Sequence, residues 1–326
     1  MVMRCMFVLG ILCCLVVAVP INAANLSFGT ELTGMGGAGV ALIKDVYAAV
    51  WNPAGLARVN RFSIEPNLSF FTTQPEVLGE YRDYLNGAEL PADPLHFEAG
   101  GIVGFATPRF AFNMAGQALG VTTPAVGETP YQSEAALVYN SKVSMAWPLP
   151  ILGRTLALGT TFNYYSAHKY EAGLTADFAD VDSTSTYVGA GRSFDVGAQI
   201  DLAGNLRLGL VARDIGGTFE WGRDDFVSRV QPVTPTYQAG LGWDGRSLRA
   251  AFDWEWDEAD LRRYRIGLAK DFWRLFTIRV GGIIEPEQEP TYTGGLSLRL
   301  GAFSLNLAAA NQAEAWQATV SMALNM

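Results

Sequence analysis

Three glycines near the amino terminus have the spacing of a nucleotide-binding loop. Gly34, Gly36 and Gly39 fit the pattern G-x-G-x-x-G, in which close backbone approach lets a helix N-terminus hold a pyrophosphate. That chemistry requires a strand before the glycines and a βαβ unit around them. Residues 25–60 show no strand-like alternation, and hairpin-like segments follow them. We therefore expect no nucleotide site and no nucleotide cofactor at these glycines.

Side chains that could support acid–base, thiol or metal chemistry are scarce. The two histidines, His96 and His168, are expected in separate loops with no partner at ligand spacing. All three cysteines, Cys5, Cys13 and Cys14, lie in a leader that we expect to be removed. A hydrolase needs a nucleophile beside a positioned base, and no such arrangement is recognisable. The sequence therefore predicts no enzyme activity, no metal site and no cofactor.

The first 24 residues have the pattern of a secretory signal peptide. Met1-Val2-Met3-Arg4 carries a positive charge, an apolar stretch follows over residues 5–19, and small residues surround Ala23 and Ala24. A transmembrane anchor is the alternative, but a bilayer-spanning helix needs roughly 20 apolar residues. The pattern predicts export and cleavage near Ala23 or Ala24. The mature chain would then contain no thiol and no disulfide.

The composition suits a membrane protein without a spanning helix. Charged residues make up 17% of the chain and hydrophobic residues 49%, whereas typical domains have about 25% charged residues. No window after the leader holds a long unbroken apolar run. The formal net charge of −9 would become more negative when Arg4 is removed, which argues against a nucleic-acid partner. The chain is therefore either a well-buried globule or a β-barrel, and the period of the hydrophobic pattern distinguishes the two.

The pattern that follows has period two, which is typical of strands with one apolar and one polar face. From Phe194 to Leu202 apolar and polar residues alternate, Ala203-Gly204-Asn205 forms a turn, and alternation resumes from Leu206 to Ala212. Similar segments occur along the whole chain. The fourteen predicted strands are 62–71, 99–105, 110–118, 133–147, 155–165, 194–202, 206–212, 237–243, 248–256, 264–268, 276–284, 292–300, 303–309 and 316–326.

The connections between the predicted strands alternate in length, as in outer-membrane barrels with long outer loops and short periplasmic turns. Residues 72–98, 119–132, 166–192 and 214–235 form long connections, and 23 of the 32 acidic residues lie in or at the edges of the outer loops. A soluble β-sandwich is the alternative. The leader and the loop asymmetry favour an all-β fold, a transmembrane antiparallel β-barrel of about fourteen strands over residues 61–326.

Glycines recur on the polar phase of the predicted strands, and two interpretations of them stay open. Glycine can relieve strain in a strongly coiled sheet. Alternatively, the missing side chains make room inside the lumen for residues 25–60. These glycines are Gly159, Gly197, Gly209, Gly240, Gly242, Gly267, Gly281 and Gly295.

Two motifs in residues 25–60 carry a family resemblance. Gly34-Met35-Gly36-Gly37-Ala38 is followed by Trp51-Asn52-Pro53-Ala54-Gly55, where asparagine then proline is typical of an N-cap and the first turn of a helix. The pair resembles the N-terminal region of the FadL/TodX-type hydrophobic-compound transporters and the related PorV/PorQ-type outer-membrane proteins. The resemblance implies a plug, or hatch, lodged in a fourteen-stranded barrel. The implied plug residues are Gly34, Gly36, Gly37, Trp51, Asn52, Pro53, Ala54 and Gly55, and we expect the Asn52 side chain to satisfy backbone amides.

Two functions from different classes follow from this resemblance. One is passage of small hydrophobic compounds, such as fatty-acid-like molecules, through a plugged lumen in the bacterial outer membrane. The other is a PorV-like scaffold that binds secreted proteins or a secretion complex by its outer loops. Both place the chain in contact with outer-membrane lipid. Only the first requires a hydrophobic small-molecule ligand.

Overall fold

The computed structural model describes residues 29–73, 75, 77, 79–80, 83, 95–123, 131–151, 153–174, 181–223, 226–258, 261–273, 275–312 and 315–326. The expected signal peptide, 1–24, lies outside these described residues. Within the described residues, three short helices precede the sheet: α1 (Thr30–Thr33), α2 (Ala48–Trp51) and a 3-10 helix, Pro53–Arg58. None of the helices in the described part of the chain is long and apolar enough to cross a membrane.

All strands belong to one antiparallel sheet, whose neighbours follow one another along the chain. The strands are β1 (Ser63–Thr72), β2 (Leu95–Thr107), β3 (Phe110–Thr123), β4 (Tyr131–Ile151), β5 (Arg154–Leu174), β6 (Val181–Asp201), β7 (Leu206–Arg223), β8 (Phe226–Pro232), β9 (Thr236–Asp244), β10 (Leu248–Asp257), β11 (Arg262–Phe272), β12 (Phe276–Ile284), β13 (Thr291–Leu300), β14 (Phe303–Gln312) and β15 (Ala315–Asn325).

The sheet closes into a barrel of fourteen strands with one additional strand. β1 pairs with β15, β6 pairs with β7, and β7 pairs with β9, which completes the ring. The extra strand, β8, pairs with the far end of β7. The prediction of about fourteen strands is confirmed, but β8 lies in residues 214–235, which we expected to be a loop. Its seven residues, FVSRVQP, show no apolar–polar alternation, so the periodicity could not reveal it.

The two faces of each strand have opposite chemistry, and the polar face is the buried one. On β10 the side chain of Phe252 is 47% exposed while its neighbour Asp253 is 0% exposed. On β1, Glu65 and Asn67 are buried whereas Leu68 is 64% exposed. A soluble sandwich would bury the apolar face. The reversed pattern is that of a transmembrane barrel with an apolar outer surface and a polar interior.

Strands β4, β5 and β6 are much longer than predicted. Each has 21 residues, and β5 and β6 occupy most of residues 166–192, which we expected to be a loop. That expectation was wrong because the strand residues beyond the membrane lose the apolar–polar alternation on which it was based. The segment keeps Ser, Thr and Tyr residues, which favour strands. His168 consequently lies in β5 and His96 in β2, not in loops.

Candidate functional site

Residues 29–60, the N-terminal segment, lie against the inward-facing side of the barrel wall. Ala38, Val40 and Ala49 have no exposed surface. At one side of the barrel, the Thr293 hydroxyl on β13 donates to the Gly34 carbonyl at 3.2 Å. At the opposite side, the Thr161 hydroxyl on β5 donates to the Ala49 carbonyl at 3.3 Å. The segment therefore contacts distant strands of the barrel at the same time.

The inward-facing glycines of the wall are the places where the N-terminal segment comes closest. A Cβ built on Gly209 would lie 2.6 Å from the Val40 carbonyl oxygen, and one on Gly240 would lie 2.6 Å from Val40 Cγ1. Side chains at these positions would therefore collide with the segment. The interpretation that the glycines make room for it is confirmed, because all eight have an atom of the segment within 4 Å of the added Cβ: Gly159, Gly197, Gly209, Gly240, Gly242, Gly267, Gly281 and Gly295.

Asn52 is fully buried and uses both ends of its side-chain amide. Its Oδ1 accepts from the backbone N–H of Ala54 at 3.1 Å, so it caps the 3-10 helix that begins at Pro53, as predicted. Its Nδ2 lies 2.9 Å from the Val40 carbonyl and 3.2 Å and 3.3 Å from the carbonyls of Ala198 and Leu210. One side chain thus joins two parts of the N-terminal segment to β6 and β7.

Side chains from the wall satisfy the irregular backbone of residues 39–43. Asp253 Oδ2 accepts from the backbone N–H groups of Gly39 and Val40 at 2.7 Å and 3.0 Å. Gln199 Nε2 donates to the carbonyls of Val40 and Ile43 at 3.0 Å and 3.2 Å. Buried backbone groups outside regular structure need such partners. The sequence analysis did not identify Asp253 or Gln199 as partners of this segment.

The indole ring of Trp51 lies between two arginines of the wall. The guanidinium carbons of Arg213 and Arg265 are 5.9 Å and 5.8 Å from the ring centre, within the range of cation–π attraction. Glu255 forms ion pairs with Arg213 at 3.0 Å and Arg265 at 3.2 Å. A side chain on Gly37 would collide with Arg265. This contact explains why a glycine is present at position 37.

Glu31 joins α1 to two further arginines of the wall. Its carboxylate lies 2.7 Å from Arg279 Nη2 and 3.7 Å from Arg249 Nη1. Burial alone would raise the pKa of Glu31, but Arg279, Arg249 and Arg299 outweigh it and lower that pKa to about 2. Glu31 is therefore ionised at neutral pH and acts as an electrostatic tether.

The implied plug residues fall into two groups on opposite walls of the barrel. Gly34 and Gly36 face β12 and β13, since added Cβ atoms would lie 3.1 Å from Gly295 Cα and 2.7 Å from the Gly282 nitrogen. Asn52 and Pro53 face β5, β6 and β7. The remaining implied residues are placed as follows: Gly37 and Trp51 lie against Arg265, Ala54 follows Pro53 beside Gly159, and Gly55 contacts Ile43 within the segment.

A polar cluster on β4 to β7 lies farther along the lumen, towards the long-loop end. Asn163 Nδ2 donates to Asp195 Oδ1 at 2.8 Å, and Lys142 Nζ is 3.5 Å from Asp195 Oδ2. The backbone N–H of Asp214 also donates to Asp195 Oδ1 at 2.9 Å. Asp214 has a positive φ of 58° and lies where the register between β6 and β7 shifts twice. The pairing of these two strands is therefore irregular at this level, with Phe194 and Ile215 still paired between the two shifts.

An apolar cluster of inward-facing side chains adjoins the polar cluster at this end. It consists of Tyr165, Ala167, Phe219 and Val233, all buried, with Val138 and Trp221 partly buried against them. The Phe219 and Trp221 rings meet edge to face at 4.9 Å. The Tyr165 hydroxyl donates to Asp214. Tyr165 thus belongs to the apolar cluster and touches the polar one.

Comparison with known proteins relates this architecture to solved structures. No protein-family model matches the chain, and no curated protein matches it. A TodX deltaS2S3 mutant, a monoaromatic hydrocarbon channel, superposes with a TM-score of 0.67 at 14% identity over 92% of this chain and 99% of that one. The Ralstonia pickettii toluene transporter TbuX gives a TM-score of 0.59 at 13% identity over 92% and 97%. A Pseudomonas aeruginosa FadL homologue gives 0.57 at 10% identity over 96% and 99%.

The chain has the fold of the TodX and FadL outer-membrane channels. The identities of 10–14% establish this fold, and the superpositions extend over nearly the whole of each channel. The resemblance that the two N-terminal motifs carry is thereby supported at the level of architecture. The TodX/FadL fold also accounts for the reversed burial of the strands, because it is an outer-membrane β-barrel fold.

Proposed function

We propose that this chain is a bacterial outer-membrane passage for small hydrophobic compounds, exported by a signal peptide cleaved near Ala23 or Ala24. In this proposal the N-terminal segment is the plug that prevents free aqueous flow. The observation that carries the proposal is the cluster of Tyr165, Phe219 and Val233. These buried side chains pack together on the inner face of a wall whose other inward-facing residues are largely polar, and a solute would reach them by separating them.

The charges between the apolar cluster and the plug argue for a sideways route. An apolar solute that continued along the barrel axis would have to displace paired groups such as Arg213, Glu255 and Arg265, which are costly to leave unpaired. The register shifts between β6 and β7 lie beside the apolar cluster, and Ile215, which pairs with Phe194 between the two shifts, is 38% exposed on the outer surface. We infer that the solute leaves the lumen there, towards the membrane.

Uptake by whole cells tests the proposal. The full chain is expressed in a Gram-negative host that lacks its own hydrophobic-compound channel, and uptake of radiolabelled toluene and palmitate is compared with cells carrying an empty vector. We expect faster uptake of at least one probe. If neither probe enters faster and the purified barrel retains a stoichiometric protein partner, the passage proposal fails. The secretion scaffold then becomes the better explanation.

A further inference from the structure

Exposed basic residues surround the short-turn end of the barrel, the end predicted to face the periplasm. Arg109 and Arg246 lie in the turns that connect β2 to β3 and β9 to β10. Others lie at or beside strand ends that meet the same rim. This basic ring consists of Arg61, Arg109, Arg154, Arg246 and Lys270, all of which are exposed.

Three carboxylates at this end, those of Asp201, Asp244 and Asp271, are already engaged by other cations. Asp201 pairs with Arg58 and Arg207, both at 3.0 Å or less. Asp244 pairs with Lys44 at 2.7 Å. Asp271 pairs with Arg249 at 3.4 Å. Within the described part of the chain, no residue of the basic ring forms an ion pair, so its positive charge is not neutralised by the protein itself.

Large apolar side chains place the ring at the membrane boundary. Trp243 is 41% exposed on the outer surface three residues before Arg246, and Trp273 is 88% exposed three residues after Lys270. Aromatic rings of this kind prefer the headgroup zone of a bilayer. Three strand residues span about 10 Å, so Arg246 and Lys270 lie within about 10 Å of these rings, at the depth of lipid phosphates.

The opposite end carries the opposite charge. Exposed carboxylates there include Glu80, Glu220, Glu258 and Glu287. An anionic surface would therefore be attracted to the short-turn end and repelled from the long-loop end. This asymmetry distinguishes the ring from a general scatter of surface charge.

We propose that the basic ring binds the headgroups of anionic phospholipids in the periplasmic leaflet. Guanidinium groups match phosphate oxygens in a two-pronged geometry. The ring follows the circumference of the barrel, as a shell of lipids does, and Arg246 and Lys270 lie close to the exposed rings of Trp243 and Trp273. This function goes beyond the proposed passage of hydrophobic compounds and does not depend on it.

Native mass spectrometry of the full chain in mild detergent tests the proposal directly. The protein is equilibrated with equal amounts of dioleoylphosphatidylglycerol and dioleoylphosphatidylcholine, and the lipids retained on the barrel are counted. Because each basic residue near an anionic surface contributes on the order of a fivefold factor, we expect phosphatidylglycerol to be retained at least about fivefold over phosphatidylcholine. The preference should fall when salt rises from about 0.01 M to about 1 M.

Matched variants distinguish an effect of the basic ring from an effect of the net charge of the protein. The variant R61Q/R109Q/R154Q/R246Q should lose the preference, whereas E80Q/E220Q/E258Q/E287Q, which neutralises as many groups at the other end, should keep it. A third variant, R61K/R109K/R154K/R246K, keeps the charge and should keep most of the preference even if the glutamine variant folds poorly. Equal retention of both lipids by the natural chain would overturn the proposal. The proposal would also be overturned if the natural chain retained an acidic soluble protein in place of lipid and the glutamine variant lost that protein.

Discussion

Asp253 Oδ2 lies 2.7 Å from the backbone nitrogen of Gly39, across 214 positions of sequence. The same oxygen accepts from Val40 at 3.0 Å and from Gln238 at 3.0 Å. A carboxylate with three donors on one oxygen is a strong anchor, because hydrogen bonds to charged groups are stronger than neutral ones. The contact fixes Gly39 and Val40 of the N-terminal segment to β10.

Replacing Asp253 should loosen this anchor. D253A removes the acceptor of two buried backbone N–H groups, each of which then loses a charge-assisted hydrogen bond. We expect the free energy of unfolding to fall by about 3 kcal/mol, measured by urea-induced unfolding of the detergent-solubilised barrel. E258A, at an exposed acid beyond the end of the same strand, serves as the control and should change stability little. Equal stability of D253A and the natural chain would contradict an anchoring role.

A side chain at Gly209 should displace the N-terminal segment. The added Cβ would lie 2.6–2.7 Å from the backbone of Val40 and Ala41, which cannot move without breaking the contacts of Asp253. We expect G209V to raise ion conductance in planar lipid bilayers, because water-filled space opens beside the segment. The matched control is G294V, since a Cβ at Gly294 meets only a carbonyl oxygen at 3.9 Å. Unchanged conductance in G209V would show that the segment does not close the lumen.

Neutralising Glu255 should release Trp51. E255Q leaves Arg213, Arg263 and Arg265 without their shared carboxylate, and an uncompensated buried charge is strongly destabilising. We expect the free energy of unfolding to fall by about 3 kcal/mol. In a variant whose only tryptophan is Trp51, we also expect acrylamide to quench the tryptophan fluorescence more strongly. E220Q, at an exposed acid on β7, should leave both readouts unchanged. Stability of E255Q within error of the natural chain would contradict the tether.

The Glu31 tether should weaken in acid. Because its pKa is lowered from 4.5 to about 2 in the folded chain, ionised Glu31 stabilises the folded state above pH 4.5. This contribution should decline as the pH falls and disappear as it passes through about 2. The difference in Tm between the natural chain and E31Q should therefore shrink as the pH falls below 4.5. A difference that grows below pH 4.5 would contradict this assignment.

The apolar cluster should determine uptake if the proposed function is correct. F219A removes a side chain that is 2% exposed on the inner face, so it should lower the uptake rate of toluene without removing the barrel. F252A truncates a lipid-facing phenylalanine that is 47% exposed and is the control. Heat-modifiable migration on gels would confirm that both variants fold. Unchanged uptake in F219A would show that the solute does not pass along the apolar cluster.

Periodicity predicted the barrel because every membrane-embedded strand must present apolar residues to lipid. It could not predict the full length of β5 and β6, because their outer ends do not alternate between apolar and polar residues. Local rules also predicted the cap at Asn52, since cap and helix are adjacent in sequence. The partners of the N-terminal segment, such as Asp253 and Gln199, could not be predicted, because one sequence does not give the register between segments so far apart. Their presence on the polar phase of the strands was the only available signal.

The closure of the ring through β1 and β15 has a consequence for biogenesis. The strand that follows the N-terminal segment forms its seam with the last strand of the chain, and Thr30 of the segment contacts Thr319 across that seam. Wall glycines leave no clearance around the segment on several sides. A cylinder that had already sealed could hardly admit so closely fitted a core. We infer that the nascent sheet folds around the N-terminal segment, and that the segment sets the curvature of the sheet until β1 and β15 pair.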